Sequence, residues 1–568
     1  MSQPEIRWAG PRALLMQLDS LESVLAVHAR LQEQPLRGQV DVLAAAQTVL
    51  AVFDSGTTAR AARTALAHLD TAPATDTAAT GDPVRIEVVY DGDDLAEVGR
   101  LTGLDPDGVI AAHTGQLWTA AFGGFAPGFA YLVGENETLT VPRRTSPRTA
   151  VPAGAVALAG NFSAVYPRRS PGGWQLIGHT ASRLWDLDRD QPALLRPGTA
   201  VQYVAVRETL TLTDPTPDDG THSITTPPST GHSLEVIAPG PQSLIQDLGR
   251  PGLGDVGVSK AGAADTASAR QANRLVGNAP GDAVIETILG GLTVRAHGEL
   301  TLALTGAITP AEITTAEIRG ADISGEEGSG VGPSTRTAPM CSPFALHDGE
   351  TLQLDAPDAG LRTYVAIRGG IDVPQVLGSR STDVMSGIGP APLAAGTVLP
   401  LGPIDQGRTV GAAEPSTLPD AIRRGSKEPV LLRITSGPRH DWFTPASQES
   451  LTTQAWTVTA ESNRIGVRLA VGATPDSEAP GQPLERVVTD ELPSEGVVAG
   501  SLQVPPSGLP VLFLADHPVT GGYPVIGVVV PEDLPIAAQL APGAALRFQT
   551  VDPETLQPTP RPITTHSS

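Results

Sequence analysis

Apolar and polar residues follow the same order in two distant stretches of the chain. In each stretch a Pro/Gly turn opens a short apolar strand, a polar loop follows, and a Gly-Gly-aromatic turn leads into a second apolar strand. The stretches span 151–178 and 504–527, and Pro197-Gly198 and Pro542-Gly543 close them. This pattern predicts a small closed β-structure that occurs twice, in other words a duplicated barrel.

A different pattern marks the N-terminal region, where Leu21, Val24, Leu25 and Leu31 repeat at helical spacing. Polar breaks rich in Pro and Thr follow at 71–81, 213–230 and 409–428, and such segments bury too little apolar surface to fold by themselves. The chain is therefore predicted to consist of two halves joined by a linker. The predicted segments are an N-terminal α+β domain (1–80), a first barrel (83–210), the linker (211–232), a β-rich region (233–408), a second barrel (429–551) and a tail (552–568).

Composition supports a mainly β protein with α+β parts. The chain has 568 residues, with 61 glycines, 53 prolines, 4% aromatic and 17% charged residues, which favours many short strands and turns over long helices. At roughly 100–200 residues per domain, this length allows about three to five domains.

Charge and cysteine content exclude several classes of function. The net charge is −23 and the lysines are Lys260 and Lys427, so no basic stripe is available for nucleic acid. The single cysteine, Cys341, excludes internal disulfides and multi-cysteine metal sites. No apolar stretch approaches about 18 residues, and the first residues lack a signal-peptide pattern. We expect a cytoplasmic protein without nucleic-acid or membrane partners.

Motifs in the first half resemble the B-subunit family of bacterial 5-oxoprolinase, also called KipI. The matching segments are Phe122-Gly-Gly-Phe-Ala-Pro-Gly-Phe-Ala-Tyr-Leu132, Pro142-Arg-Arg-Thr-Ser-Pro-Arg148 and Ser170-Pro-Gly-Gly-Trp-Gln-Leu-Ile-Gly-His-Thr180. Motifs in the second half resemble the C-subunit family, or KipA. They are Ser243-Leu-Ile-Gln-Asp-Leu-Gly-Arg-Pro-Gly252, Ala272-Asn-Arg-Leu-Val-Gly-Asn278, Tyr364-Val-Ala-Ile-Arg-Gly-Gly-Ile-Asp372, Leu377-Gly-Ser-Arg-Ser-Thr382, Glu461-Ser-Asn-Arg-Ile-Gly-Val-Arg468 and Asp516-His-Pro-Val-Thr-Gly-Gly-Tyr-Pro524. The chain is similar to a natural B–C fusion.

The resemblance implies a cyclophilin-like β-barrel in each half. It also implies an ATP-dependent hydrolase that opens L-5-oxoproline to L-glutamate with a separate A-type 5-oxoprolinase protein, with ATP and Mg²⁺ held here or shared with that partner. Two alternatives stay open: a carboxyltransferase or allophanate hydrolase-type component of urea or guanidine metabolism, and a non-catalytic regulator of a histidine kinase. The fused chain is also predicted to pair its halves within the molecule and to form a homodimer.

Two chemical signatures are missing from the sequence, and a third is only weakly represented. Lys260 and Lys427 lack the flanking methionines of a biotin carrier, so no biotin is expected on this chain. No G-x-x-x-x-G-K-[ST] phosphate loop is present, so an ATP site would be non-standard or shared. The Ser-Lys pairs at 259–260 and 426–427 are the noteworthy amidase-like features, and a loop containing Ser-Lys is usually only a loop.

Phosphorylation of an amide oxygen needs cations over the phosphoryl group and a carboxylate that holds Mg²⁺ or activates water. Arginine suits the first task because its planar fork binds phosphate or carboxylate with two hydrogen bonds. Asp516 is the leading carboxylate candidate, since it follows an apolar strand and precedes a Gly-Gly turn. The predicted catalytic residues are Asp516, His179, Asp247 and Arg250, and no metal-ligand set is predicted.

The remaining candidates are assigned to substrate or nucleotide binding. Asp247 and Arg250 are spaced to pair on a helical turn, and the 122–131 segment has the composition of a shaped loop that lays rings against a ligand or packs on the barrel. Asn463 is expected to form a turn that leaves Arg464 exposed. The predicted binding residues are Phe125, Pro127, Gly128, Phe129, Tyr131, Arg143, Arg148, Gly172, Gly173, Gln246, Asp265, Asn273, Glu286, Asn463, Arg464, Arg468, Thr520, Gly521, Gly522 and Tyr523.

Overall fold

A computed structural model of the chain describes residues 4–72, 82–146, 148–207, 221–222, 231–315, 334–425, 428–472 and 481–559. Most of the predicted linker 211–232, the pair Ser426-Lys427 and the end of the predicted tail (560–568) lie outside the described residues. Among the helices that are described, none is long and apolar enough to cross a membrane.

The N-terminal domain is a four-stranded antiparallel sheet in the order β1-β2-β4-β3 with two helices packed on it. Both helices begin at serine caps: Ser20 accepts from Ser23 N, and Ser55 forms a capping box with Thr58. The predicted α+β domain is therefore confirmed. Its elements are β1 (Glu5–Trp8), β2 (Ala13–Gln17), α1 (Leu21–Glu33), β3 (Gln39–Ala44), β4 (Thr48–Phe53) and α2 (Gly56–Ala67).

The first barrel follows, with seven strands in the order β12-β9-β10-β7-β6-β13-β5 and a bridge between Val89 and His179 that joins the two edge strands. Its elements are β5 (Val84–Val88), α3 (Leu95–Thr102), α4 (Pro106–Thr114), β6 (Trp118–Gly124), β7 (Ala126–Gly134), β8 (Arg148–Val151), β9 (Ala155–Ala159), β10 (Phe162–Val165), β11 (Ser170–Gly172), β12 (Gln175–His179) and β13 (Ala200–Ala205).

The central region contains a six-stranded sheet (β21-β20-β23-β18-β15-β26) and a five-stranded sheet (β16-β17-β24-β19-β22) that share one apolar core, while α5 packs on the five-stranded sheet. The elements are β14 (Thr221–His222), β15 (Ser233–Pro239), β16 (Gln242–Gln246), a 3-10 turn (Gly254–Val256), α5 (Thr266–Val276), β17 (Val284–Ile288), β18 (Leu292–His297), β19 (Leu300–Ile308), β20 (Ala311–Thr314), β21 (Thr335–Thr337), β22 (Pro343–Leu346), β23 (Thr351–Leu354), β24 (Ala359–Ile367), β25 (Gly389–Pro390) and β26 (Val398–Pro400).

The second barrel is closed, with strands in the order β27-β34-β31-β32-β29-β28-β35. Its elements are α6 (Asp420–Arg423), β27 (Val430–Ser436), a 3-10 turn (His440–Trp442), α7 (Pro445–Thr453), β28 (Trp456–Val458), β29 (Gly466–Val471), β30 (Glu495–Gly496), β31 (Ser501–Gln503), β32 (Val511–Phe513), β33 (Thr520–Gly521), β34 (Val525–Val529), a 3-10 turn (Pro531–Asp533), α8 (Leu534–Ala538) and β35 (Ala545–Thr550). Beyond β35, Val551 bridges Pro558, and Arg60 of α2 donates to Glu554 O.

The two barrels share one topology, which confirms the predicted duplication. The last strand of each barrel pairs in parallel with its first, β13 with β5 and β35 with β27. Trp118 and Trp456 open equivalent strands, and each indole N–H donates to the carbonyl five residues earlier, at 2.9 and 3.1 Å. A buried indole N–H needs a hydrogen-bond acceptor, and both barrels supply a backbone carbonyl at the same distance along the chain.

The predicted shaped loop 122–131 is a β-hairpin, which corrects that expectation. Phe122, Phe129 and Tyr131 are buried and form ring contacts with one another and with Trp174 between the first barrel and the N-terminal sheet. Phe125, at the tip with φ +64°, stays exposed. Of the two outcomes expected for these rings, contact with a ligand or packing on the barrel, the structure shows packing for Phe122, Phe129 and Tyr131.

Candidate functional site

A cavity of about 410 Å³ lies between the two barrels, within the roughly 300–1,000 Å³ range of small-molecule sites. We call it the inter-barrel cavity. Five predicted binding residues line it: Phe125, Asn463, Arg468, Thr520 and Tyr523. The other lining residues are Ala126, Arg168, Ser170, Pro171, Met385, Ile465, Gly466, Gln503, Pro505, Val511, Phe513 and Pro518. Both halves of the chain therefore contribute to one site.

Glycines allow the two halves to approach closely beside this cavity. A Cβ at Gly124 would overlap the Thr520 side chain of the second barrel, and a Cβ at Gly123 would overlap the Asp255 carbonyl. At these two glycines the backbone of the first barrel therefore packs directly against the second barrel and the loop after β16. Any larger side chain at these positions forces the walls of the cavity apart.

Each barrel supplies one guanidinium group to the cavity. Arg168, from the first barrel, donates to Met385 O, and burial lowers the pKa of its guanidinium. Its Nε is buried without a hydrogen-bond partner among the described residues. Arg468, from the second barrel, is mostly exposed and lies 3.9 Å from Glu461. Two cations from different domains suit a carboxylate or phosphate ligand, which the arginine fork binds with paired hydrogen bonds.

A fully buried ionic network, here called the arginine triad, lies behind the cavity. Arg464 Nη2 lies 2.8 Å from Asp516 Oδ1, and Arg464 Nη1 lies 2.5 Å from Glu286 Oε1. Arg464 also donates to Gly262 O at 2.6 Å, and Asp516 Oδ2 accepts from Val384 N at 3.1 Å. One guanidinium therefore holds the second barrel to β17 and to the loop before α5.

Burial and ion pairing have opposite effects on the pKa values of the arginine triad. Burial raises the pKa of Asp516 to about 6, because the loss of solvent and the charge of Asp383 outweigh the pairing with Arg464. Burial would also raise the pKa of Glu286, but Arg464 and Arg362 lower it. The pKa of Arg464 would be lowered by burial, yet Asp516 and Glu286 raise it. At neutral pH the network is held together by charge.

These contacts correct two predictions about the arginine triad. Asp516 does not lie at a pocket mouth as a free base, because it is fully buried and paired with Arg464. Arg464 is 2% exposed rather than displayed by a turn. The Asn463 side chain accepts from Ile465 N and Gly466 N, so it forms the expected local turn, but that turn directs Arg464 inward.

Three other predicted binding residues have structural partners in the central region. Glu286 accepts from Tyr364 Oη at 2.7 Å and from Ala264 N at 2.9 Å. Asp265 caps α5 by accepting from Ser268 N, and Asn273 donates to Asp282 O. These residues fix α5 and the sheet beneath the second barrel, and they do not line the inter-barrel cavity.

The predicted Asp247–Arg250 pair does not form, because Gly249 and Pro251 interrupt any helix after β16. Asp247 instead accepts from Ser379 Oγ and Ser381 Oγ, each at 2.6 Å. Arg250 donates to the carbonyls of Val376 and Ser381, while Gln246 donates to Thr382 O. The cluster secures the 376–382 loop, whose continuation at 384–385 contacts Asp516 and Arg168.

Several predicted residues lie elsewhere on the first barrel. His179 is exposed at the barrel seam and lies 2.8 Å from Asp91. Arg143 forms an exposed ion pair with Glu491, and Arg148 pairs with the buried carboxylate of Asp94. Pro127 and Gly128 lie in strand β7, Gly172 ends β11, and Gly173 O accepts from Arg144 N. Two other predicted residues lie in the second half of the chain: Gly521 ends β33, and Gly522 follows it.

Arg168, Gln503 and His517 are cavity or wall residues that the sequence analysis missed. A signal for Arg168 exists in the duplication: Arg168 and Asp516 each lie three residues beyond the end of equivalent strands, β10 and β32. Arg168 and Asp516 contact neighbouring residues of one loop, Met385 and Val384.

Metal and nucleophile candidates are sparse in this part of the molecule. Within the described ranges, no group of three or more His, Cys, Asp or Glu residues is arranged to hold a metal ion. Ser259 is buried, and its hydroxyl donates to Asp383 Oδ2 at 2.9 Å rather than to the adjacent Lys260.

Two protein-family models match this chain. A model described as "Carboxyltransferase domain, subdomain A and B" matches residues 256–550, and one described as "Carboxyltransferase domain, subdomain C and D" matches 4–195. The chain belongs to the carboxyltransferase-domain family. This confirms the resemblance found in the sequence and the fused order of its two halves.

Relatives of this family match the two halves separately. The C subunit of 5-oxoprolinase from Escherichia coli (strain K12) is 33% identical over 322 residues, which are 56% of this chain and 90% of that protein. The B subunit of 5-oxoprolinase from Escherichia coli O157:H7 is 47% identical over 128 residues, 22% of this chain and 59% of that protein. The urea amidolyase of Saccharomyces cerevisiae is 31% identical over 329 residues, 56% of this chain but 16% of that protein.

A solved structure of the same family covers both halves together. The crystal structure of TTHA0988 superposes with a TM-score of 0.78 at 32% identity, and the alignment covers 94% of this chain and 99% of that one. The fold described above is therefore shared with a protein of matching length.

Proposed function

We propose that this chain is the fused B–C component of an ATP-dependent 5-oxoprolinase that hydrolyses L-5-oxoproline to L-glutamate with a separate A-type protein. The inter-barrel cavity is the observation that supports this most strongly. Its walls come from both halves, and the relatives of those halves are named as the B and C components of 5-oxoprolinase. A fused chain keeps both walls of such a site together.

In this proposal the substrate carboxylate pairs with the guanidinium groups of Arg168 and Arg468. The aromatic side chains of Phe125 and Tyr523 flank the lactam ring, and Gln503 and Thr520 supply hydrogen bonds. Arg468 is exposed, and Arg168 Nε has no hydrogen-bond partner among the described residues, so both guanidinium groups have capacity for a ligand. The arginine triad acts through position, because it holds the loops that carry Asn463 and Thr520.

ATP and Mg²⁺ fit poorly among the described residues of this chain. No phosphate loop occurs in the sequence, and the described residues contain no group of three acidic or histidine ligands. The proposal therefore assigns Mg²⁺ and ATP to the A-type partner, or to a surface shared with it. Biotin is not expected on this chain under this proposal.

A carboxyltransferase role in urea metabolism is the second candidate, and the family description and the match to yeast urea amidolyase favour it. The two candidates differ in substrate: the first requires 5-oxoproline and an A-type partner, while the second requires urea, bicarbonate and a biotinylated partner. Tight binding to a histidine kinase with no turnover would instead support a regulatory role.

The test is a kinetic comparison of cavity variants in an assay reconstituted with the co-purified partner. Arg468→Met and Arg168→Met each remove a charge-assisted hydrogen bond worth about 1.5–3 kcal/mol, so kcat/KM for 5-oxoproline should fall at least tenfold. Arg424→Gln, an exposed arginine outside the cavity, is the matched control. Unchanged kinetics in both cavity variants, with the wild type active, would move the substrate site elsewhere.

A further inference from the structure

A second cavity of about 240 Å³ lies where the N-terminal sheet, the second barrel and the loop 251–260 meet. We call it the junction pocket. Its volume far exceeds the roughly 10–15 Å³ that one water molecule needs, yet it falls below the roughly 300 Å³ at which sites for drug-sized ligands begin. Its walls are mainly aliphatic and include Leu43, Val258, Ala499, Val519 and Val528.

One segment forms a common wall between the junction pocket and the inter-barrel cavity. His517 and Val519 line the junction pocket, whereas Pro518 and Thr520 line the inter-barrel cavity. Successive residues of this segment thus line alternate cavities. A molecule bound on one side of the segment 517–520 therefore contacts residues adjacent to those on the other side.

Most polar groups of the junction pocket already have partners. Arg12 pairs with Glu532, and Asp41 accepts from Val42 N at 2.9 Å and from Gly254 N at 3.3 Å. His517 Nδ1 lies 2.8 Å from Pro518 O, so Nδ1 carries the proton and donates, which leaves Nε2 as an acceptor.

Lys260 is the exception among the charged groups of this pocket. Its side chain forms no ion pair or hydrogen bond with any described residue, while its backbone is fixed because Lys260 O accepts from Arg250 N at 2.7 Å. Lys260 is an exposed residue, but desolvation by its neighbours lowers the pKa of its ammonium group, and the charges of Arg270 and Arg12 lower that pKa further. A ligand anion would relieve this concentration of positive charge.

We propose that the junction pocket is a second ligand site that takes a small monocarboxylic acid with a short apolar body. The carboxylate pairs with the ammonium group of Lys260, and the hydrocarbon part packs against Val258, Val519 and Val528. This site is separate from the inter-barrel cavity and does not depend on which reaction that cavity supports.

The test uses pentanoate as the probe and the full-length chain labelled at valine and threonine methyl groups. Pentanoate should shift the resonances of Val519 and Val528 in a saturable manner, and the Thr520 methyl group should shift with them because it lies on the common wall. Lys260→Met should weaken binding at least tenfold, since a charge-assisted hydrogen bond is lost. Ala499→Leu should abolish binding by filling the pocket with three further carbon atoms.

Two comparisons make the result decisive. Arg424→Gln removes one positive charge from an exposed helix and should leave pentanoate binding unchanged. The proposal is overturned if Lys260→Met binds pentanoate as tightly as the wild type, or if the saturable shifts map to the inter-barrel cavity and not to Val519 and Val528. Chemical shifts of the unliganded variants that match the wild type elsewhere establish that the variants are folded.

Discussion

Replacing Arg464 with methionine should destabilise the second half of the molecule more than any exposed arginine replacement. Methionine fills much of the volume but supplies no donor, so the change leaves Glu286 and Asp516 as two buried carboxylates. Arg464 is 2% exposed, and it donates to Glu286, Asp516 and Gly262 O. The Gly262 carbonyl also loses this hydrogen bond.

The magnitude follows from the burial of this network. Removing one partner of a buried ion pair typically costs about 3–5 kcal/mol. Here Asp516 loses its paired guanidinium group, while Glu286 keeps Arg362 at 3.4 Å. For folding units of 150–250 residues, each kcal/mol corresponds to about 2–4 °C in Tm. We therefore expect the Tm of the transition that contains the second barrel to fall by at least about 6 °C.

The assay is differential scanning calorimetry of the full chain at pH 7.5, with Arg468→Met as the matched control. Arg468 lies four residues away, is mostly exposed, and has its nearest carboxylate oxygen at 3.9 Å, so its replacement should cost less than about 1 kcal/mol. A second variant, Arg464→Lys, keeps the charge but not the planar fork and should lose an intermediate amount. A shift of less than 1 °C for Arg464→Met would refute the structural role assigned to the triad.

Three further predictions concern other parts of the structure. Burial lowers the pKa of His113 to about 3, below the value near 6.5 in the unfolded chain, so the folded state loses stability relative to the unfolded state as the pH falls. Between pH 7.5 and 5 the free energy of unfolding should decrease by about 2 kcal/mol. His113→Phe should reduce the change in Tm measured over this interval. Gly124→Ala should cost about 1–3 kcal/mol by overlap with Thr520, and adding Thr520→Gly should recover part of the lost Tm. Arg148→Met should lower Tm because it removes the ion pair with Asp94, but it should leave the KM for 5-oxoproline unchanged. A raised KM would show that Arg148 binds the substrate.

The fold could be predicted from the sequence because its signals are local and occur twice. The Gly-Gly-aromatic turns and the apolar strands around them recur in both halves, and they correspond to barrels of one topology. The helical spacing of Leu21, Val24, Leu25 and Leu31 likewise predicts a helix, which the structure shows as α1. The bounds of the 122–131 hairpin were not predicted, because its aromatic residues match a binding loop and a core strand equally well until their neighbours are known.

The site was only partly predictable because its geometry depends on distant contacts. Phe125, Asn463, Arg468, Thr520 and Tyr523 were predicted and do converge on the inter-barrel cavity. Single-residue arguments could not distinguish a buried partner from a ligand-binding group, since Glu286 and Arg464 are 178 positions apart in the sequence. Arg168 could be found only by matching strands in the order of the barrel.

The most direct test of the proposed function is the stoichiometry of the reaction catalysed by this chain co-purified with its native partners. The complex is supplied with ATP and 5-oxoproline, or with ATP, urea and bicarbonate, and ADP and glutamate are both quantified. The account predicts ADP release that depends on 5-oxoproline and yields one glutamate per ADP. ADP release that depends on urea and bicarbonate alone, or tight partner binding with no turnover of either substrate, would contradict it.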